Sequence, residues 1–311
     1  MSPRSFSAAS LVLLLSGCAT SGYHKKPQVA VVDADPIVQM ARPSMFPPLT
    51  DPKEVPLKKH SDPPFRGEEA VGRTDVDPPR IYPVGLLDSY EVVNADGAGG
   101  PYVVARCALT DLVAIYDRRV DGRTLTFENS GALWRDMLVM KDRETGTYWS
   151  ATGRALHGPL AGKTLTGIPA PLAKTGDWDE ANPDLVCLDT GELSAVSLQM
   201  RVYGASPMEG LSGRKVTDAR YEPKKRVYYV AAEGGDAAVA ISAEELRRKK
   251  TWTAALPSGA VTFEWDTGLR APRAYVAGEG SSKREVPATP IFWFAAVEHF
   301  KTVVTPEGKT K

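Results

Sequence analysis

Ile81-Tyr82-Pro83 through Leu87 and Ala240-Ile241-Ser242 through Leu246 align 159 positions apart, and the same offset sets Gly100 on Gly259 and Cys107 on Asp266 without a gap. Trp178 to Val186 and Trp293 to Val304 form a second matching pair at an offset near 115, so the later copy is shorter. A unit that recurs in one chain is a supersecondary piece that buries its apolar face against its neighbour. Two accounts fit: related half-domains packed on each other, which we expect, or a coincidence of common strand patterns. Inside the halves the pattern is β. Tyr102-Val103-Val104-Ala105, Leu112 to Tyr116 and Met137 to Met140 are short β-rich runs, and Asp121-Gly122 marks a tight hairpin before Leu125 and Phe127. Arg226 to Val230 and Ala237 to Ile241 flank Glu233-Gly234-Gly235-Asp236 as another hairpin. Helices are few: Ser242 with Glu245 is a capping box opening Ala243 to Lys249, and Thr289-Pro290 opens Ile291 to about Lys301. The predicted fold is mainly β with a few short helices (α+β), as two related, packed half-domains of antiparallel strands.

The N-terminus carries a different message. Met1 to Arg4 is a short cationic start, Phe6 to Leu15 a short apolar run, and Leu15-Ser16-Gly17-Cys18 follows. The run is too short to span a bilayer stably and reads as a secretory signal. Leu-Ser-Gly-Cys resembles the bacterial lipoprotein box, which makes Cys18 the lipidated first residue of the mature chain; the plainer account is an ordinary signal peptide. Ala19 in place of Asp resembles the pattern sent to the outer membrane, so the expected location is its periplasmic face, with the membrane as partner through the anchor. From Ala19 to Pro79 prolines recur too often for a helix or a central strand. That tether spans roughly 40 Å as a flexible coil. Gln28 to Val32 and Ile37 to Phe46 are apolar enough to dock on the body. The resulting division is a leader 1–17, a lipidated Pro-rich tether 18–79, one domain 80–304 made of half-repeats 80–200 and 220–304, and a tail 305–311.

Lys+Arg and Asp+Glu are both 38, a formal net charge of +0, so nothing steers the chain to nucleic acid. His24, His60, His157 and His299 do not recur at metal-ligand spacing and there is no Cys-x-x-Cys, so neither a metal nor a cofactor is expected. His-Glu-x-x-His, Gly-x-Ser-x-Gly and the phosphate-loop pattern are absent, and Gly210-Leu211-Ser212-Gly213 has the wrong spacing for the last.

Several runs carry a family resemblance. Tyr102 to Thr110, Tyr116 to Phe127, Ser130-Gly131, Leu138-Val139-Met140, Asp142 to Gly146, Trp149-Ser150, Gly158 to Gly162 and Asp189-Thr190-Gly191 together resemble the bacterial and archaeal family known as domain of unknown function 3179. The resemblance covers about Arg80 to Val304. It implies a cysteine at the place of Cys107 and, in some relatives, redox chemistry there. Thr110 stands where a second thiol could be, a departure that speaks against a local dithiol.

With Cys18 lipidated, Cys107 and Cys187 are the remaining thiols, in an oxidising compartment. Three states stay open for them. A Cys107–Cys187 disulfide would close a loop of about 80 residues and constrain the unfolded chain by roughly 4.5 kcal/mol. Alternatively Cys107 is a reactive thiolate with Thr110 as hydroxyl neighbour, which requires positive charge nearby, or it is an inert core residue. Asp142 and Arg143 at a tight turn, with Trp149, are the candidate binding corner, against the alternative of a solvated hairpin with a weak ion pair. Trp134, Trp149 and Trp178 are pocket or core aromatics. Two functions follow: a thiol-based redox protein centred on Cys107, or a non-catalytic binding or assembly lipoprotein. Whether the chain is an enzyme is left open.

Overall fold

The computed structural model describes residues 35–57, 67–182, 184–188 and 195–306. The leader, Cys18 and the Gln28 to Val32 run lie outside the described residues. Three short strands come first: β1 (Val38–Gln39), β2 (Leu49–Thr50) and β3 (Glu54–Pro56). A first unit follows as β4 (Glu69–Arg73), β5 (Arg80–Pro83), α1 (Val84–Tyr90), β6 (Val92–Gly97), β7 (Gly100–Cys107) and β8 (Leu112–Asp117). An insertion holds β9 (Arg119–Val120), β10 (Arg123–Thr124), β11 (Phe127–Trp134), β12 (Met137–Asp142), β13 (Tyr148–Ser150) and β14 (Ala155–His157). The unit then closes with β15 (Gly167–Ile168), β16 (Leu172–Lys174), α2 (Thr175–Ala181) and β17 (Val186–Leu188).

After α3 (Ala195–Ala205) the second unit repeats that order. It runs β18 (Arg226–Ala231), β19 (Ala237–Ser242), α4 (Ala243–Lys249), β20 (Thr251–Leu256), β21 (Gly259–Asp266) and β22 (Ala271–Ala277). It ends on β23 (Lys283–Val286), β24 (Thr289–Phe292), α5 (Trp293–His299) and β25 (Thr302–Val304). Each unit builds two sheets. The first has the order β16-β4-β5-β17, extended by β3, and its counterpart is β24-β18-β19-β25. The second is the meander β15-β8-β7-β6, extended by β2, and its counterpart is β23-β22-β21-β20. The chain is mainly β with a few short helices.

The 159-residue offset holds through the register. Gly97 pairs with Gly100 in one hairpin and Leu256 with Gly259 in the other, and Gly100 and Gly259 both take positive φ, 106° and 127°. Glu91 and Lys250 end α1 and α4 in the same left-handed region, at φ 60° and 67°. After the insertion the offset becomes 118, because Leu172 faces Val71 as Pro290 faces Tyr228. Between β5 and β17 the first copy is therefore longer by the difference, 41 residues, while its β4–β5 loop is two residues shorter, since Val71 and Tyr228 stand 157 apart. Equivalent side chains meet in one shared core: Leu87 with Leu246, Tyr102 with Val261, Val104 with Phe263. The expected pairing of Trp178 with Trp293 is three residues out of register. Trp178 corresponds to Ala296, and the first unit makes room for the indole with Gly72, where a Cβ would lie 2.5 Å from the ring. The second unit reverses the volumes, with Tyr229 at the place of Gly72 and Ala296 at the place of Trp178.

Two further expectations shift. The body begins well before Arg80: Ile37 is buried, β1 pairs with β11, β2 with β6 and β3 with β17, so this part of the tether is woven into the sheets. Pro56 fits because β3 is an edge strand, where a missing N–H breaks no ladder. Pro290 is likewise in edge strand β24, so the last helix starts at Trp293 and not at Ile291. The Ser242–Glu245 capping box forms at α4 as expected.

Candidate functional site

The turn joining β7 to β8, Ala108 to Asp111, is where the conspicuous side chains gather. Asp111 closes it at φ 58°, a left-handed conformation that Asp tolerates better than most residues. Strand alternation sends Arg106 and Cys107 to opposite faces. Cys107 points into the core shared with the insertion, beside Met137 and Leu138, and its Sγ accepts the Leu138 N–H at 3.3 Å. Burial pushes the thiol up; the Thr110 hydroxyl and the Leu138 and Thr110 N–H groups favour the thiolate but do not overcome it. Cys107 and Thr110 are thus together, as expected, and both are sealed from solvent.

Cys187 sits elsewhere. It lies on β17 in a separate core cluster with Val55, Trp178 and Leu185, and neither cysteine is in a disulfide. The Cys107–Cys187 bridge is therefore not formed: the two strands belong to different sheets and bury their thiols in different clusters.

The Asp142, Arg143 and Trp149 corner also resolves differently. Asp142 is fully buried and accepts the Trp149 Nε1–H at 2.8 Å, the Thr145 N–H at 2.6 Å and the Thr145 hydroxyl at 2.8 Å. It staples the turn between β12 and β13. Arg143 faces outward and meets Glu128 at 3.2 Å. The three residues form a structural turn with a surface ion pair, and Trp134, Trp149 and Trp178 are all core.

Arg106 faces the other way, toward the seam between the units, and there it lines a cavity of about 730 Å³. Its Nε donates to Asp88 at 3.0 Å and its Nη1 to Asp111 at 2.9 Å. Asp111 offers its second oxygen to Arg226 Nε at 2.5 Å, and Arg226 Nη1 reaches Glu69 at 2.6 Å. The result is a chain of alternating charges along the cavity floor: Asp88, Arg106, Asp111, Arg226, Glu69. Burial alone would raise the Asp111 carboxyl, yet Arg226 and Arg106 hold it below the ordinary carboxylate range. Burial also opposes the charge on Arg106, and Asp88 and Asp111 outweigh it. A buried charge chain of this kind is tolerable because every ion has a partner.

The cavity is a product of the repeat. Glu69 and Arg226 occupy equivalent places in the two units, as do Lys174 and Phe292, and all four line it. Glu68 joins from the first unit, its carboxylate taking the Gly85 N–H at 2.8 Å and Arg201 of α3 at 2.5 Å.

A family model described as "Protein of unknown function (DUF3179)" matches residues 44–286. The chain belongs to the DUF3179 family. No curated protein and no solved structure matches it. The DUF3179 match takes in the whole charged floor from Glu68 to Arg226 together with the Cys107–Thr110 turn, and stops before Phe292. None of Arg106, Asp88, Asp111, Glu69 and Arg226 stands out as a site residue in the sequence alone. The usable signal was an arginine inside an otherwise apolar β-strand, Val103 to Cys107, which needs buried carboxylates to accept it.

Proposed function

We propose that this DUF3179 chain is an envelope lipoprotein, anchored through Cys18 on the periplasmic face of the outer membrane, whose body binds a small polar molecule in the seam cavity. The observation that carries the reading is the cavity itself. Its volume lies in the range of small-molecule sites, and it combines apolar walls with convergent charged groups drawn from both units. Gly204 of α3 lines it, and a Cβ there would meet nothing within 4 Å. Gly204→Phe should therefore plug the cavity and leave the fold intact. In a thermal-shift screen of polar metabolites, the reading expects compounds that raise the Tm of the wild type and not of Gly204→Phe. Equal shifts in both proteins would contradict it. The anchor is tested separately: Cys18→Ser should move the chain from the membrane to the soluble fraction.

The redox reading has one observation in its favour, the Thr110 and Leu138 groups that favour a Cys107 thiolate. The larger effect of burial opposes it, since a reacting thiol needs a lowered pKa and access. An envelope phenotype lost in Cys107→Ser and kept in Gly204→Phe would make the redox reading the better one.

A further inference from the structure

Four cationic and four anionic side chains line the seam cavity: Arg106, Lys174, Arg201 and Arg226 against Glu68, Glu69, Asp88 and Asp111. The lining is therefore neutral while carrying both signs. Arg106 and Arg226 each commit Nε and Nη1 to carboxylates, and both grip the same Asp111 from its two oxygens. The Arg106 Nη2 has no protein partner among the described residues, and Arg226, which also meets the Tyr228 hydroxyl, keeps further guanidinium N–H groups for a ligand. Glu69 is engaged through Oε1 alone, which leaves its Oε2 as an acceptor on the same floor. Phe292, Val84 and Met200 supply apolar wall.

Resting on the cavity reading above, we propose that the ligand is a zwitterion with an apolar side group, a free amino acid or short peptide. Its carboxylate would be taken by the Arg106 Nη2 and the remaining Arg226 N–H groups and its ammonium by Glu69. A planar guanidinium pair is suited to a carboxylate, and charge-assisted hydrogen bonds are the strong ones. A dianion or a simple cation would add net charge to a neutral, partly enclosed site, which is costly without a compensating ion. A zwitterion adds none.

The test is calorimetric titration of the full chain with phenylalanine, Ala-Phe and Ala-Ala-Phe, each beside its N-acetyl and its C-terminal amide derivative. The expected result is binding of at least one free form, with both blocked derivatives weaker by tenfold or more. Arg226→Gln should abolish the difference between free acid and amide, and Glu69→Gln the difference between free and acetylated amine, which keeps the test open should one variant fail to fold. If blocking only one end matters, or neither, the zwitterion is wrong. If none of these probes binds but a panel of neutral sugars binds the wild type and not Gly204→Phe, the zwitterion fails and the cavity reading stands. If neither panel binds, both fail.

Discussion

The meanders of the two units share their register and differ in what covers them. In the first unit β7 and β8 are buried on both faces, one against the other unit and one against the inserted strands β11 to β14. In the second, the outer face of β20 to β23 is wet. Arg273 bridges Asp266 and Glu285 there, Lys283 meets Glu264, and the Thr253 and Thr262 hydroxyls pair across strands. The equivalent turns follow suit. Arg106, Cys107, Thr110 and Asp111 of the first unit stand where the second has Trp265, Asp266, Leu269 and Arg270. Asp266 caps its own turn by taking the Gly268 and Leu269 N–H groups, whereas Cys107 at the same place points into a core. One fold unit used twice thus yields a surface turn in one copy and a polar site in the other. The insertion covers the Cys107 side of that turn, and the seam covers the Arg106 side.

The largest test of that contrast is to remove the arginine of each turn. Arg106→Met leaves Asp88 and Asp111 short of a buried partner and should cost about 3–5 kcal/mol in urea unfolding. Arg270→Met loses ion pairs to Asp177 and Glu180 from an exposed side chain and should cost about 1 kcal/mol or less. Equal costs would erase the distinction. Next comes the insertion, which has no counterpart in the second unit. Asp142→Ala strands the buried Trp149 Nε1–H and opens the β12–β13 turn, so a loss of about 2–3 kcal/mol is expected from the same measurement.

A pH test sharpens the comparison at the helix ends. Burial raises the Glu91 carboxyl to about 8, while the hydrogen bond from Asn129 and the nearby Arg106 only partly offset it. The folded state therefore holds a proton that the unfolded state releases above its ordinary carboxyl value of 4.5. Stability from this group is complete below 4.5 and is lost as pH rises toward about 8. Glu91→Gln should flatten that fall in a series of urea melts across the window, and Lys250→Gln, at the matching place in α4, should leave it in place. The smallest effect concerns the thiols. Cys107 and Cys187 should resist iodoacetamide in the native state and react promptly in urea, as read by mass spectrometry; fast native labelling of Cys107 would revive the redox reading.

The architecture was legible where local chemistry is decisive. The Asp121-Gly122 turn, the Glu233 to Asp236 hairpin and the Ser242 capping box are each set by a few neighbouring residues. Aligning like with like sets Trp178 on Trp293, three residues from its structural counterpart Ala296. The packing instead conserved total volume, Gly72 with Trp178 against Tyr229 with Ala296. The proline-rich strands read as tether because an edge strand tolerates proline, and which strands lie at an edge is a property of the whole sheet. The cavity floor was least legible. Asp88, Asp111 and Arg226 are separated by 23 and 115 positions, and no spacing in the sequence signals their meeting. Cys107 is conspicuous as a rare residue, while its neighbour Arg106 on the opposite face is the one that lines a cavity.

Native mass spectrometry of the full chain decides whether the seam of the two units is a binding site. The expected result is a small molecule retained by the wild type and absent from Gly204→Phe. A wild type that carries no adduct, or a Gly204→Phe protein that carries the same one, would contradict it.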